Sequence, residues 1–197
     1  MIKKRVGVLI SGRGSNMRAL FEASRLPDYP ADIVFVASNR PEAGGLIFAR
    51  ENNIETVVVD HKEFATRELF DAALNNELQK HALDLVCCAG FMRIMTPTLI
   101  KPWTGRMLNI HPSLLPLYKG LHTHRRALAD GAKIHGASVH FVSEELDGGE
   151  IVLQVQVPVL ADDTEETLSN RVLGVEHALY VNAVRMVASG EIQAKAS

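Results

Sequence analysis

An asparagine and a histidine stand two positions apart in Leu108-Asn109-Ile110-His111-Pro112-Ser113-Leu114-Leu115-Pro116. On an extended backbone, such residues point to the same side. An amide and an imidazole side by side can both hydrogen-bond one reacting atom, which suits an oxygen acquiring negative charge. Downstream, Ser143-Glu144-Glu145-Leu146-Asp147-Gly148-Gly149 is an acidic loop with paired glycines. A carboxylate from it can orient the histidine and favour its charged form. Each part also has a plainer meaning. A lone histidine at a strand end is usually a core or surface residue, and aspartate before glycine is usually a turn.

A second feature near the N-terminus suits an anion. Ser11-Gly12-Arg13-Gly14-Ser15-Asn16 follows the apolar run Val6 to Ile10 and precedes a helical pattern with Met17, Leu20 and Phe21 on one face. A strand, a glycine turn and a helix start present free N–H groups to a phosphate. Ser15 or Asn16 is expected to cap the helix. A dinucleotide fingerprint would need a third glycine where Met17 stands, and an acid where Asn39 ends the second strand. The Gly-Lys-Ser/Thr of a P-loop is missing too, so a monophosphate is the better guest. Arg13 either adds charge beside it or points into solvent.

Alternating elements must carry these groups. Strands are expected at Val6–Ile10, Ile33–Ala37, Thr56–Val59, Leu85–Ala89 and Met107–His111. Helices are expected after the glycine loop, over Ala43–Asn52, and over Phe64–Lys80 with a stripe of Leu69, Phe70, Ala73, Leu74 and Leu78. Thr96-Pro97 starts a short helix. Then the rhythm changes. A short helix over His122–Asp130 ends at Gly131, and strands Ser138–Val142 and Ile151–Val159 pair antiparallel across the acidic loop. Asp163-Thr164-Glu165-Glu166 reads as a capping box opening a helix to about Ala188, stopped by Gly190. The fold class is α/β: a Rossmann-like, doubly wound, mostly parallel sheet with antiparallel C-terminal strands, in one domain over residues 1–197.

Bulk properties exclude several classes. The 197 residues suffice for one full core, and 47% hydrophobic with 22% charged is ordinary for a globular chain. A net charge of −2 argues against nucleic acid or an anionic membrane as partner. No apolar run reaches a membrane span, and the run after Lys3-Lys4-Arg5 is too short for a signal peptide, so a cytoplasmic location is expected. Cys87 and Cys88 are adjacent in an apolar run, facing opposite sides of a strand, and read as buried reduced thiols.

The run LNIHPSLLP, then GLHTHRRAL and HGASVHFVSEELDGGEIVLQ, resembles the folate-dependent formyltransferases. With SGRGSN near the N-terminus, the resemblance narrows to the branch acting on glycinamide ribonucleotide in purine biosynthesis, and covers about Val6 to Gly190. It implies transfer of the formyl group of 10-formyltetrahydrofolate, the co-substrate, to the amine of the ribonucleotide, without a metal. It implies Asn109, His111 and Asp147 as the catalytic residues. It places the ribonucleotide on Gly14, Ser15, Asn16, Met17, Arg18, Leu173 and Glu176. It places the folate on Arg67, Asn109, backbone groups at Met92, Arg93, Ile94 and Met95, and the loop Glu144, Glu145, Leu146 and Asp147. It also suggests a cis bond at Leu115-Pro116. Small molecules are the expected partners, in a monomer or homodimer.

Bland alternatives stand beside these roles. Arg67 is otherwise an exposed helix arginine, Glu176 a solvated helix glutamate, and Ile94 and Met95 ordinary packing. Ser138 and His140 face one side of the sixth strand; His140 either reaches the site through water or is a buried structural histidine. His122-x-His124 lacks ligand partners at matching spacing, so His122, His124, His135 and His177 are given loop and helix roles. Rival functions are a formyltetrahydrofolate deformylase, which would carry an added N-terminal regulatory domain, a tRNA formyltransferase, which would carry a C-terminal one, and a non-catalytic nucleotide-binding module.

Overall fold

The computed structural model describes residues 2–195. Seven strands form one sheet: β1 (Lys4–Ile10), β2 (Ala31–Ser38), β3 (Glu55–Val58), β4 (Leu85–Cys88), β5 (Met107–His111), β6 (Ile134–Phe141) and β7 (Ile151–Pro158). Their spatial order is β3-β2-β1-β4-β5-β6-β7. The first five run parallel; β6 and β7 turn antiparallel. This is the expected architecture.

Two apolar layers explain why the parallel strands are nearly continuous hydrophobic runs. Val6, Val8, Ile10, Cys87, Leu108 and Ile110 face one core. It is covered by α1 (Ser15–Ser24), α2 (Gly45–Glu51) and α6 (Glu165–Ala188). Leu9, Val86, Cys88 and Met107 face the other, covered by α3 (Arg67–Gln79) and α4 (Pro97–Ile100). Cys87 and Cys88 therefore lie in different cores, both reduced and buried. The fully buried Tyr180 of α6 directs its hydroxyl at the carbonyls of Cys88 and Leu108, each at 3.1 Å. A short helix α5 (Thr123–Ala129) precedes β6.

The differences from expectation are local. Helix α3 begins at Arg67, not Phe64, because Thr66 caps it by accepting the Leu69 N–H at 3.3 Å. Leu69 is then exposed, and the buried stripe is Phe70, Leu74 and Leu78. The start of α6 is one residue later than the Asp163 box. Thr164 is the cap, exchanging hydrogen bonds with Thr167, while Asp163 is taken by Arg171 at 2.6 and 2.7 Å. Gly14, not Ser15 or Asn16, occupies the cap position of α1, with no side-chain cap. Thr96 precedes Pro97 as expected, but its hydroxyl makes no cap bond. Strand β6 starts at Ile134 and ends at Phe141, since β7 pairs along its whole length. The peptide Leu115-Pro116 is cis.

Candidate active site

Strand pairing builds the candidate cluster. Asn109 and His111 share one face of β5, and the antiparallel register sets His140 opposite Asn109 and Ser138 opposite His111. His140 donates from Nδ1 to the Phe141 carbonyl at 2.9 Å, because a carbonyl can only accept. In the neutral ring Nε2 is then bare, and it accepts from Asn109 Nδ2 at 3.2 Å. One amide hydrogen of Asn109 remains for another acceptor. Ser138 does not reach the cluster. Its hydroxyl donates to Ser113 O at 2.6 Å and accepts from Leu115 N at 3.0 Å, fastening the loop after β5.

Asp147 arrives from the β6–β7 hairpin with φ +48, so it is both a turn residue and a member of the cluster. Its Oδ2 accepts from Gly120 N at 2.8 Å and lies 3.4 Å from His111 Nδ1. Its Oδ1 lies 3.6 Å from His140 Nε2. Burial would raise its pKa, but the His140 ring, the Gly120 amide and His111 hold it below the usual value. Asp147 is ionised. His111 donates from Nε2 to the Tyr118 carbonyl at 2.9 Å, which turns Nδ1 toward Asp147.

The surroundings of His111 pull its charge in two directions. Burial pushes its pKa below the ordinary value, against the opposing pull of the Tyr118 carbonyl and Asp147; His140 and Arg126 add to the lowering. Burial thus favours the neutral ring. Its surroundings nonetheless suit the imidazolium, since both nitrogens face acceptors. A proton taken up on Nδ1 would lie against Asp147.

At the same edge of the sheet, the glycine loop follows β1. Gly14 has φ +73, and a Cβ added there would stand 3.0 Å from the Gly45 Cα. Arg18 N–H makes the first bond of α1, to Gly14 O at 2.9 Å, so the N–H groups of Ser15, Asn16 and Met17 have no partner within the helix. Met17 is buried and can offer a ligand only its backbone. Asn16 turns inward and donates to Glu176 Oε2 at 2.8 Å. Glu176 is buried, not solvated as a helix glutamate ordinarily is; burial raises its pKa, and Asn16 opposes. A cleft of about 480 Å³ between α1 and α6 is lined by Arg13, Ser15, Arg18, Gly44, Leu173 and His177. The guanidinium carbon of Arg18 is 4.4 Å from the centre of the Phe48 ring.

After β4, Met92 and Ile94 expose their side chains, whereas Met95 packs against the second core. Arg93 folds back over Phe70 at 5.3 Å, leaving its backbone at the surface loop. Arg67 is exposed at the start of α3. Leu146 is exposed, while Glu144 and Glu145 pair with Lys101 and Lys119 at 3.7 and 2.6 Å. His122 holds the cap position of α5, and His124 and His135 share a contact at 3.2 Å. Among the described residues no cluster of three or more metal-ligating side chains occurs.

Two participants escaped sequence reasoning: the Tyr118 carbonyl and the Gly120 N–H. Both are backbone groups with no side-chain signal.

A strand-end Asn–His pair, an aspartate from a hairpin and a glycine loop on a seven-stranded sheet define a class. The chain belongs to the formyl transferase family, whose model matches residues 4–184. It is 46% identical to the phosphoribosylglycinamide formyltransferase of Escherichia coli (strain K12), over 94% of this chain and 88% of that protein. The trifunctional purine biosynthetic protein adenosine-3 of Homo sapiens is 47% identical over 97% of this chain, which spans 19% of that protein's length. Among solved structures, the phosphoribosylglycinamide formyltransferase of Brucella melitensis superposes with a TM-score of 0.90 at 48% identity, covering 98% of this chain and 100% of that one. The glycinamide ribonucleotide transformylase 1 of Symbiobacterium toebii gives 0.93 at 43%, covering 95% and 89%.

Proposed function

We propose that this chain transfers the formyl group of 10-formyltetrahydrofolate to the amine of glycinamide ribonucleotide. The observation that carries the reading is the convergence of Asn109, His111 and Asp147, with one Asn109 hydrogen left free beside a histidine backed by an ionised carboxylate.

The amine attacks the formyl carbon, a C–N bond forms and the carbonyl oxygen becomes an oxyanion. Asn109 donates its free N–H to that oxygen. One such donor is worth about 3–4 kcal/mol of barrier. His111 in its neutral form takes the proton shed by the attacking nitrogen on Nδ1, through water, and Asp147 stabilises the resulting imidazolium. The proton returns to the folate nitrogen as its bond to the formyl carbon breaks and the carbonyl re-forms. Neither a covalent enzyme intermediate nor a metal is required. Holding both substrates in register supplies much of the remaining acceleration.

The ribonucleotide phosphate sits on the N–H groups of Ser15, Asn16 and Met17, with Leu173 and Glu176 along its ribose side. Arg18 lies at the rim of that cleft. The pterin lies against Met92 to Met95 and Glu144 to Asp147, meeting backbone groups and the exposed Met92, Ile94 and Leu146. Arg67 stands near the folate tail. The test is an assay of formylfolate consumption with and without glycinamide ribonucleotide. Ribonucleotide-dependent loss of the formyl group is expected; ribonucleotide-independent loss would make the protein a hydrolase, and binding without turnover a silent module.

A further inference from the structure

Ser11 lies between the two halves of the site and touches both. Its strand, β1, is the one flanked by β2 on one side and β4 on the other. The residue just beyond β1 can therefore reach the ends of both neighbours. Ser11 does so with three bonds. Its N–H donates to Gly90 O at 3.1 Å, its hydroxyl donates to Asn39 Oδ1 at 2.5 Å, and its Oγ accepts the Met92 N–H at 2.7 Å. Asn39 is itself held, its carbonyl accepting from His61 Nδ1 at 2.8 Å. Ser11 is 5% exposed and Asn39 1% exposed, so water does not stand in for these partners.

The direction of each bond is determined. Asn39 Oδ1 can only accept, so the Ser11 proton points at it and a lone pair of Oγ is left for Met92. Met92 opens the loop after β4, and Gly12 follows Ser11 into the phosphate loop. A shift of one loop is thus felt by the other through a single buried hydroxyl.

We propose that Ser11 is a positioning residue that couples the two substrate loops, so that binding of one substrate tightens the other. This rests on the assignment of the glycine loop to the ribonucleotide and the loop after β4 to the folate. Without the hydroxyl, Asn39 Oδ1 and the Met92 N–H lose a buried partner, at about a tenfold cost in any equilibrium that depends on them.

The experiment titrates the full chain with glycinamide ribonucleotide and with tetrahydrofolate, which carries no formyl group, each alone and in the presence of the other. The wild type is expected to bind each ligand about fivefold or more tightly when the other is bound. In Ser11→Ala that factor should fall to about one and KM for the formyl donor should rise about tenfold, while kcat stays within about threefold. Ser11→Thr, which keeps the hydroxyl, should restore the factor. Asn39→Ala, which frees the hydroxyl to rotate, should lower it in part and decides the matter if Ser11→Ala does not fold. A folded Ser11→Ala of lower Tm with an unchanged factor, or a wild-type factor of one, would overturn the coupling alone. A wild type that binds neither ligand would overturn the transferase reading and the coupling with it.

Discussion

The loop after β1 and the loop after β5 leave the same edge of the same sheet, yet they are built in opposite ways. In the first, the side chains turn inward: Met17 into the core, Asn16 onto Glu176, Ser11 onto Asn39. What remains outward is a row of backbone N–H groups flanked by the side chains of Arg13, Ser15 and Arg18. In the second, the backbone supplies the support, through the Tyr118 carbonyl and the Gly120 N–H, to the side chains proposed to do the chemistry, Asn109 and His111 at the end of β5 and Asp147 on the β6–β7 hairpin. The contrast suits the two proposed tasks. A phosphate carries its charge throughout, so fixed N–H dipoles suffice. A reacting carbonyl changes charge and sheds protons, which only titratable or donor side chains can follow. One loop should therefore be sensitive to backbone geometry and the other to side-chain identity.

The largest effect should come at the end of β5. Asn109→Ala should lower kcat by about 100–1000-fold, with the ribonucleotide dissociation constant nearly unchanged. Single-turnover rates beside equilibrium titration check this; parallel losses of rate and affinity would erase the distinction between the loops. Asp147→Asn should also lower turnover strongly. Combined with His111→Asn, it should cost less than the product of the two single losses, because the pair acts as a unit.

Next comes the first loop. Gly14→Val puts a branched side chain at φ +73 against the Gly45 backbone. Left-handed geometry alone costs about 1–2 kcal/mol, so ribonucleotide affinity should fall about tenfold or more while folate affinity holds. Separate titrations of each ligand decide it; equal loss of both would contradict a phosphate role.

A smaller effect concerns protons. Asp147 favours the charged form of His111, so Asp147→Asn should move that pKa further down from an already depressed value. NMR titration of the histidine in wild type and variant measures it, and an unmoved pKa would leave Asp147 as a turn residue only.

The smallest is a stability slope. His111, His124 and His135 all have folded pKa values below the ordinary 6.5, His135 down to about 4, with burial as the leading cause. In that window the unfolded chain binds more protons, so stability is full above pH 6.5 and is lost as pH falls toward 4. His135→Gln should flatten the fall, read as Tm against pH; an identical slope would remove His135 from the account.

Much of this was legible beforehand. The strand order of elements followed from apolar runs, and β5 has the expected bounds because Arg106 and Pro112 bracket a short apolar run. The i, i+2 spacing of Asn109 and His111 showed a shared face. Asp147 could be tied to them only through resemblance, since the β6–β7 hairpin that delivers it is a tertiary event. Helix starts were least legible. Thr164 outcompeted Asp163 because Arg171, a full two turns on, claims the aspartate, and Gly14 replaced Ser15 because the loop needs a left-handed turn. The pull of burial on His111, which opposes the carboxylate, was not legible because it depends on how the loop after β5 packs over the ring.

The neighbouring thiols of β4 equip the molecule with two internal clocks. Cys87 reports from the core under α1, α2 and α6, Cys88 from the core under α3 and α4. Burial pushes Cys87 up to about 12 and Cys88 also well up, so neither presents a thiolate to an alkylating reagent while its layer stays closed. Labelling at the two positions, resolved by mass spectrometry, then times the opening of each layer separately. Equal rates mean that the helices leave the sheet together; unequal rates show which side peels first.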